Sequence, residues 1–395
     1  MNKIQKILKN FDIEFYEKQE KMIDNFLKRH LEGITVKGKE NISGGRKLYV
    51  MNHRSHLDYL ILGMKLHELK HNPPAFAAGR NLFVIPMLGK YLEKMKAIPI
   101  DRGRNSQTYL NNLYKSIEDV VMGGEDLVLF IEGGRSYDGM IQKPKLGLLG
   151  AVMNAQEKIE EDIIAQPVAI SYDWVPESRR FGYLQTARNR IKFNWFYKAI
   201  GTFCYYANDF IALFDYLAMQ FDRAPLGRAY LSFGEGIPLG EYIEQSFSYK
   251  QRRSRYGQMR LQLAEDIIHA IKMAYHSSGT EQLAHLIRKV REDKNEVNEE
   301  RLFEELRQDD ELFKAAQILK EKKIIDKTMV PFNVINKNVL DYYANSYIDR
   351  KQYIIDYCGT LIKDGKIEKG SELLRRAIKH WPDLRLDSKV AKIFQ

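Results

Sequence analysis

Residues 127–139 read LVLFIEGGRSYDG, an unbroken apolar run that ends in an acid, two glycines and an arginine. A run this short, rich in branched and aromatic side chains and closed by glycines, reads as a strand buried on both faces. Burial on both faces requires helices above and below, so the stretch points to an α/β fold rather than a sandwich. The turn that follows admits two readings. Paired Gly133 and Gly134 let backbone amides approach an anion, and Arg135 and Ser136 add a charge-assisted and a neutral hydrogen bond for phosphate oxygens. The same residues also make an ordinary turn with a solvated arginine. Ser136 as a hydrolase nucleophile fits less well, because Asp138 stands where the GxSxG elbow needs its closing glycine.

Outward from this strand the pattern repeats. RKLYVMN (46–52), KAIPI (96–100) and AQPVAISY (165–172) alternate with the helical stretches Leu57–His71, Ser106–Met122 and Leu148–Ile159. The chain is therefore expected to form a mixed, largely buried sheet flanked by helices, with a polar cluster at each strand end where such folds place ligands. Before it, Ile4, Leu8, Phe11, Phe15, Ile23 and Phe26 recur at helical spacing, an amphipathic lead-in over residues 1–32. The α/β domain is assigned to 33–245 and a helical C-terminal region to 246–395, with helices at Arg260–Tyr275, Glu299–Glu321 and Val339–Asp364. REDKNEVNEE (291–300) reads as a solvated face or connection.

Bulk properties narrow the function. With 395 residues, 44% hydrophobic and 29% charged, the chain is globular rather than disordered. A formal charge of +10 favours polyanions: anionic lipid, phosphorylated substrates, an acidic carrier protein or nucleic acid. Zinc-finger spacing, aromatic RNA-binding strands and a helix-turn-helix are not found, so nucleic acid is not expected. Cys204 and Cys358 stand far apart, which argues against a zinc site or disulfide framework and for a reducing compartment. MNKIQKILKN lacks an apolar signal core, and the longest charge-free stretch, Leu146–Gln156, falls well short of the ~20 residues of a spanning helix.

NHRSHLD (52–58) is the second stretch with chemistry in it. Ser55 and Asp58 fit a capping box at a helix start. His53 and Asp58 also fit an acid/base pair, in which the acid fixes the imidazole tautomer and stabilises its charged form. Both can hold together. His56 is placed off the helix face of Asp58. KAIPIDRG delivers Arg102 at a strand end, either to a phosphate or to a salt bridge with Asp101. AQPVAISYD places Pro167 at a strand start and Tyr172 and Asp173 at its end, all three consistent with packing.

In order and spacing, NHRSHLD, GRNLFVIPMLGKYLEKMKAIPIDRG, FIEGGRS and QPVAISYD resemble the four motif blocks of the glycerolipid acyltransferase family, over about residues 45–240. EGGRS, GRAYLSFGEGIPL (227–239) and, more weakly, LDYYANS (340–346) are similar to the glycerol-3-phosphate group of that family. The resemblance implies His53 as general base and Asp58 as its partner. It also implies Arg102, Arg135 and Ser136 on the acceptor phosphate, with Glu132 bracing the Gly133–Gly134 turn or bonding a free hydroxyl, and Pro167 in the fourth block. Acyl-CoA or acyl-carrier protein is the implied co-substrate, with no metal and no further cofactor. Asp101 before Arg102 departs toward lysophosphatidate acyltransferases, and Tyr137 and Asp138 replace residues commonly basic and small. The second acylation, of lysophosphatidate, and a non-catalytic basic lipid-binding protein are the alternatives. FNWFYKAIGTFCYYANDFIALFDYLAMQF (193–221) and KQRRSRYGQMR (250–260) suit a lipid headgroup region as well as a core and a solvated face. The expectation is a peripheral enzyme on the cytoplasmic face of a membrane.

Overall fold

A computed structural model describes residues 7–8, 11–80, 83, 86–101, 106–181, 226–243, 249–292 and 299–380. Arg102 and the aromatic stretch 193–221 lie outside them. The chain runs α1 (Ile13–His30), β1 (Gly33–Lys37), β2 (Arg46–Met51), α2 (Asp58–Glu68), β3 (Ala75–Gly79), α3 (Pro86–Lys94), β4 (Ala97–Ile100), α4 (Gln107–Met122), β5 (Leu127–Phe130), α5 (Leu146–Gln156) and β6 (Ile163–Tyr172). It continues through β7 (Arg228–Phe233), β8 (Ile237–Pro238), α6 (Tyr249–Ala274), α7 (Gly279–Glu292), α8 (Glu299–Gln308), α9 (Asp310–Glu321), α10 (Lys337–Lys363) and α11 (Ile367–His380). The expected α/β architecture is present, and helices flank the sheet on both faces. No helix among the described residues is long and apolar enough to cross a membrane.

The sheet order is β1-β7-β6-β2-β5-β3-β4, with β8 pairing β6 beside β7. β6, β2, β5, β3 and β4 are parallel to one another, and β7 joins β6 antiparallel. Side chains alternate as the pleat demands: Tyr49 and Met51 of β2 pack with α2, and Leu48 and Val50 pack with α4 and α5. All four side chains are fully buried, and Leu48, Val50 and Met51 each contribute about 1.5–3 kcal/mol by leaving water.

The connectivity places the site. From β2 the chain crosses by α2 to β3, away from β6; from β5 it crosses by α5 to β6, in the opposite sense. Right-handed crossovers in opposite senses must lie on opposite faces, and α2 and α5 do belong to opposite cores. The neighbours β2 and β5 therefore form a topological switch point, with a crevice beyond their carboxyl ends. His53 follows β2 and Glu132 follows β5.

The C-terminal helices extend both cores. α6 packs Leu263, Ile267 and Ile271 on the α5 face, whereas Leu283 of α7, Leu312 of α9 and Tyr343 of α10 join the face that holds α2. The sequence reading of one helix over 299–321 is corrected to two. Asp309 takes an extended conformation (φ −115°, ψ 105°) and its carboxylate accepts from the amides of Glu311 and Leu312, which caps a new helix. β1, β3, α3, α7 and α11 were not predicted. Asp309→Ala should lower stability by about 1 kcal/mol, the usual cost of a lost cap, measured as a reduced midpoint in chemical denaturation.

Candidate active site

Asp58 opens α2 and has no exposed surface. A buried carboxylate needs donors, and four converge on it. Oδ2 accepts from His53 Nδ1–H (2.8 Å), from the Arg54 amide (2.7 Å) and from the Ser55 amide (2.9 Å), while Oδ1 accepts from the Tyr172 hydroxyl (2.7 Å). The capping-box reading thus survives in half. Asp58 reaches back to the Ser55 amide, but the Ser55 hydroxyl accepts from the Leu57 amide and donates to Glu177. Burial pushes the Asp58 carboxyl up to about 7 against these donors. The imidazole is held from a second direction, stacked on Phe130 with ring centroids 3.8 Å apart.

The two strand-end loops are tied together. Asn52 continues β2 with its side chain, donating to the Ile170 carbonyl (2.9 Å) and accepting from the Ile170 amide (2.8 Å). The His53 amide donates to Glu132 Oε1 (2.8 Å), and the Ser136 amide donates to the His53 carbonyl (3.0 Å). Glu132 Oε2 accepts from the Gln142 amide (2.9 Å), so this acid braces the loop 133–142 against the His53 loop. Burial raises its carboxyl to about 7. Gly133 takes φ +68°, a conformation that favours glycine, and a Cβ there would lie 2.7 Å from Lys145 Cγ. A Cβ on Gly134 would meet nothing within 4 Å, so that backbone is open to close approach.

Arg135 is 9% exposed, lies over Phe181 and is 3.6 Å from Glu177 Oε1. Glu177 also accepts from the Ser55 hydroxyl (2.9 Å) and the His56 amide (3.0 Å), and so aligns the arginine with the start of α2. The Ser136 hydroxyl, read from sequence as a phosphate ligand, donates to Asp138 (3.1 Å) and accepts from the Gly139 amide (3.1 Å), which shapes its own turn. Arg80, on the same edge after β3, is 3.8 Å from Asp101.

Pro167 is corrected in place. It is the fifth residue of β6, buried opposite Val50, rather than at a strand start. Its carbonyl accepts from the Gly234 amide (2.9 Å), so its missing N–H faces the gap where β7 gives way to β8, where an interior proline is tolerated. Asn52, Arg54, Tyr172 and Glu177 are the site residues that the sequence reading did not select. Asn52 and Arg54 stand inside NHRSHLD and Tyr172 at the end of the fourth block, whereas no spacing marks Glu177.

Among the described residues, no group of three or more His, Cys, Asp or Glu is arranged to hold a metal ion. A polar pair, a glycine turn and a buried arginine at a switch point can move a proton beside a bound anion.

Comparison with known proteins shows what the segment is similar to. Residues 33–171 match the family model described as Acyltransferase. The glycerol-3-phosphate acyltransferase of Xanthomonas campestris pv. campestris is 34% identical over 157 residues, 39% of this chain and 17% of that protein. The protein of the same name from Pseudomonas fluorescens is 29% identical over 229 residues, 57% of this chain and 25% of that protein. The match thus spans a quarter or less of the length of these curated relatives. Among solved structures, the 1-acyl-sn-glycerophosphate acyltransferase of Thermotoga maritima is similar at 17% identity and a TM-score of 0.32, covering 63% of this chain and 79% of that chain. The resemblance carried by the motif blocks is borne out over 33–171.

Glu132 gives a pH test. Its carboxyl rises from 4.5 to about 7 on folding, so the folded state binds its proton more tightly and stability falls as pH increases across that interval. The rise corresponds to roughly 3 kcal/mol. Thermal melts of wild type and Glu132→Gln from pH 4 to 8 should show a shallower pH dependence in the variant.

Proposed function

We propose that this chain is an O-acyltransferase that moves a fatty acyl group from acyl-CoA or acyl-carrier protein to the position-1 hydroxyl of glycerol 3-phosphate. The observation that carries this reading is the 2.8 Å bond from His53 Nδ1 to Asp58, in a loop whose carbonyl is bonded to the EGGRS turn. A primary hydroxyl is a poor nucleophile at neutral pH and needs a base in contact as it attacks. With Nδ1–H donated to Asp58, the basic lone pair lies on Nε2. There it takes the hydroxyl proton as the oxygen attacks the acyl carbonyl, and Asp58 stabilises the imidazolium. The C–S bond of the thioester then breaks and the imidazolium protonates the thiolate. Arg135, aligned by Glu177, holds the acceptor phosphate together with Arg102, and the open backbone at Gly134 lets an oxyanion approach the turn. The relatives named glycerol-3-phosphate acyltransferase support this acceptor.

The test offers purified protein glycerol 3-phosphate or lysophosphatidate with each donor. Glycerol 3-phosphate should give the higher kcat/KM. His53→Ala should lower kcat by about 10² to 10⁴-fold. Arg135→Ala should raise KM for glycerol 3-phosphate about tenfold or more, in line with the ~1.5–3 kcal/mol of a hydrogen bond to a charged group. Preference for lysophosphatidate reverses the acceptor, as Asp101 before Arg102 would suggest. Turnover of neither acceptor leaves the lipid-binding alternative.

The product is fatty and the chain basic, so the same reading places the protein on an anionic membrane surface at the cytoplasmic face. It should sediment with anionic vesicles and be released by high salt, because Coulombic attraction is screened within about 10 Å at 0.1 M. Absence of binding in a flotation assay removes the membrane from the proposal.

A further inference from the structure

Arg54 follows the proposed base directly, and its two ends face opposite ways. Its amide donates to Asp58 Oδ2 (2.7 Å). Its guanidinium runs away from the pair into the C-terminal helices, donating to the Gly139 carbonyl, to Ser346 Oγ of α10 (3.0 Å) and to the Tyr275 hydroxyl after α6 (3.3 Å). Those two hydroxyls in turn donate to one oxygen of Glu281 in α7, each at 2.6 Å. Arg54, Tyr275, Glu281 and Ser346 are all 3% exposed or less. They form a closed relay in which each hydroxyl oxygen accepts from the cation and each hydroxyl proton goes to the anion.

α10 also grips the other arm of the site. Asn345 donates to the Asp138 carbonyl (3.1 Å), and Asp349 accepts from the Ile141 amide (3.0 Å). Gly139 has φ +85°, and a Cβ on it would sit 1.9 Å from the Tyr342 carbonyl oxygen. The loop after β2 and the loop after β5 therefore rest on the same helix. Glu281 and Ser346 lie beyond the matched segment 33–171.

We propose that Glu281 and Ser346 are positioning residues for the His53–Asp58 pair, acting through Arg54, so that the C-terminal helices are part of the active site. The proposal rests on the acyltransferase reading of that pair. A guanidinium suits this place because its planar fork serves three acceptors at once, which an ammonium on a flexible stem cannot do in the same geometry. If Glu281 only stabilised the fold, activity would follow stability. If it sets the register of the His53 loop, turnover falls for a stated geometric reason while phosphate binding, which depends on Arg135 and Glu177, is kept.

Asp309 separates the two. Its carboxylate caps α9 through the amides of Glu311 and Leu312, away from the bonds that join Arg54, Tyr275, Glu281 and Ser346. The experiment measures kcat, KM for glycerol 3-phosphate, melting temperature and the His53 Nδ1 proton resonance in ¹⁵N-histidine-labelled full chain, for Glu281→Gln, Ser346→Ala and Asp309→Ala. Glu281→Gln and Ser346→Ala should lower kcat about tenfold or more with KM changed less than about threefold, and the imidazole proton bonded to Asp58 should shift or vanish. Asp309→Ala should melt lower yet keep the wild-type kcat and resonance. Should Glu281→Gln fail to fold, Ser346→Ala carries the test. Loss of kcat in step with melting temperature across all three, or an unchanged imidazole signal in Ser346→Ala, overturns the proposal. A wild-type protein inactive with every acceptor counts against the acyltransferase reading alone, and the imidazole resonance then decides the positioning role by itself.

Discussion

A carboxylate sealed from water is tolerated only where donors replace its hydration, and the arrangement around Asp58 follows from that requirement. The start of α2 contributes the Arg54 and Ser55 amides, β6 the Tyr172 hydroxyl, and the turn after β2 the His53 imidazole. Any shift between β2 and β6 would strip at least one donor from a group that cannot find another. The Asn52 side chain, which extends the β2–β6 pairing by one more residue, guards against that slip. Sheet register, helix start and imidazole tautomer are thereby fixed by a single buried charge.

The sheet was legible where strands are apolar on both faces. RKLYVMN and LVLFIE are long-range buried and say so through branched and aromatic side chains. AFAAG, which became β3, has no such signal: alanines and glycine have weak strand preference, and its place between β5 and β4 comes from tertiary packing. GITVK, as β1, lies at the sheet edge and is only partly buried, which blurs its alternation.

The site was legible as motif and illegible as wiring. His53 and Asp58 meet as their spacing proposed, yet a reciprocal capping box stands elsewhere, at Ser278–Glu281, where amide and side chain exchange both bonds. SSGTEQL carried that signature openly, and α7 could have been predicted from it. Nothing in spacing, by contrast, links Arg54 to Glu281 or Arg135 to Glu177, because such pairs are set by how segments far apart in the chain come together. Once formed they are costly to break, since a buried charge stripped of its partner costs about 3–5 kcal/mol.

Arg54 and its partner Ser346 are separated by 292 positions. During synthesis at about 5–20 residues per second, roughly 15 to 60 s pass between the appearance of the cation and the arrival of the helix that receives it. In the last part of that interval, once β8 has been made, the sheet, α2 and the His53–Asp58 pair can already be assembled around an arginine that still lacks its partner on α10. The loop that carries NHRSHLD is in this sense completed late: a helix nearly three hundred positions downstream supplies its last partner, and a ribosome-bound fragment that holds the entire matched segment is still unfinished.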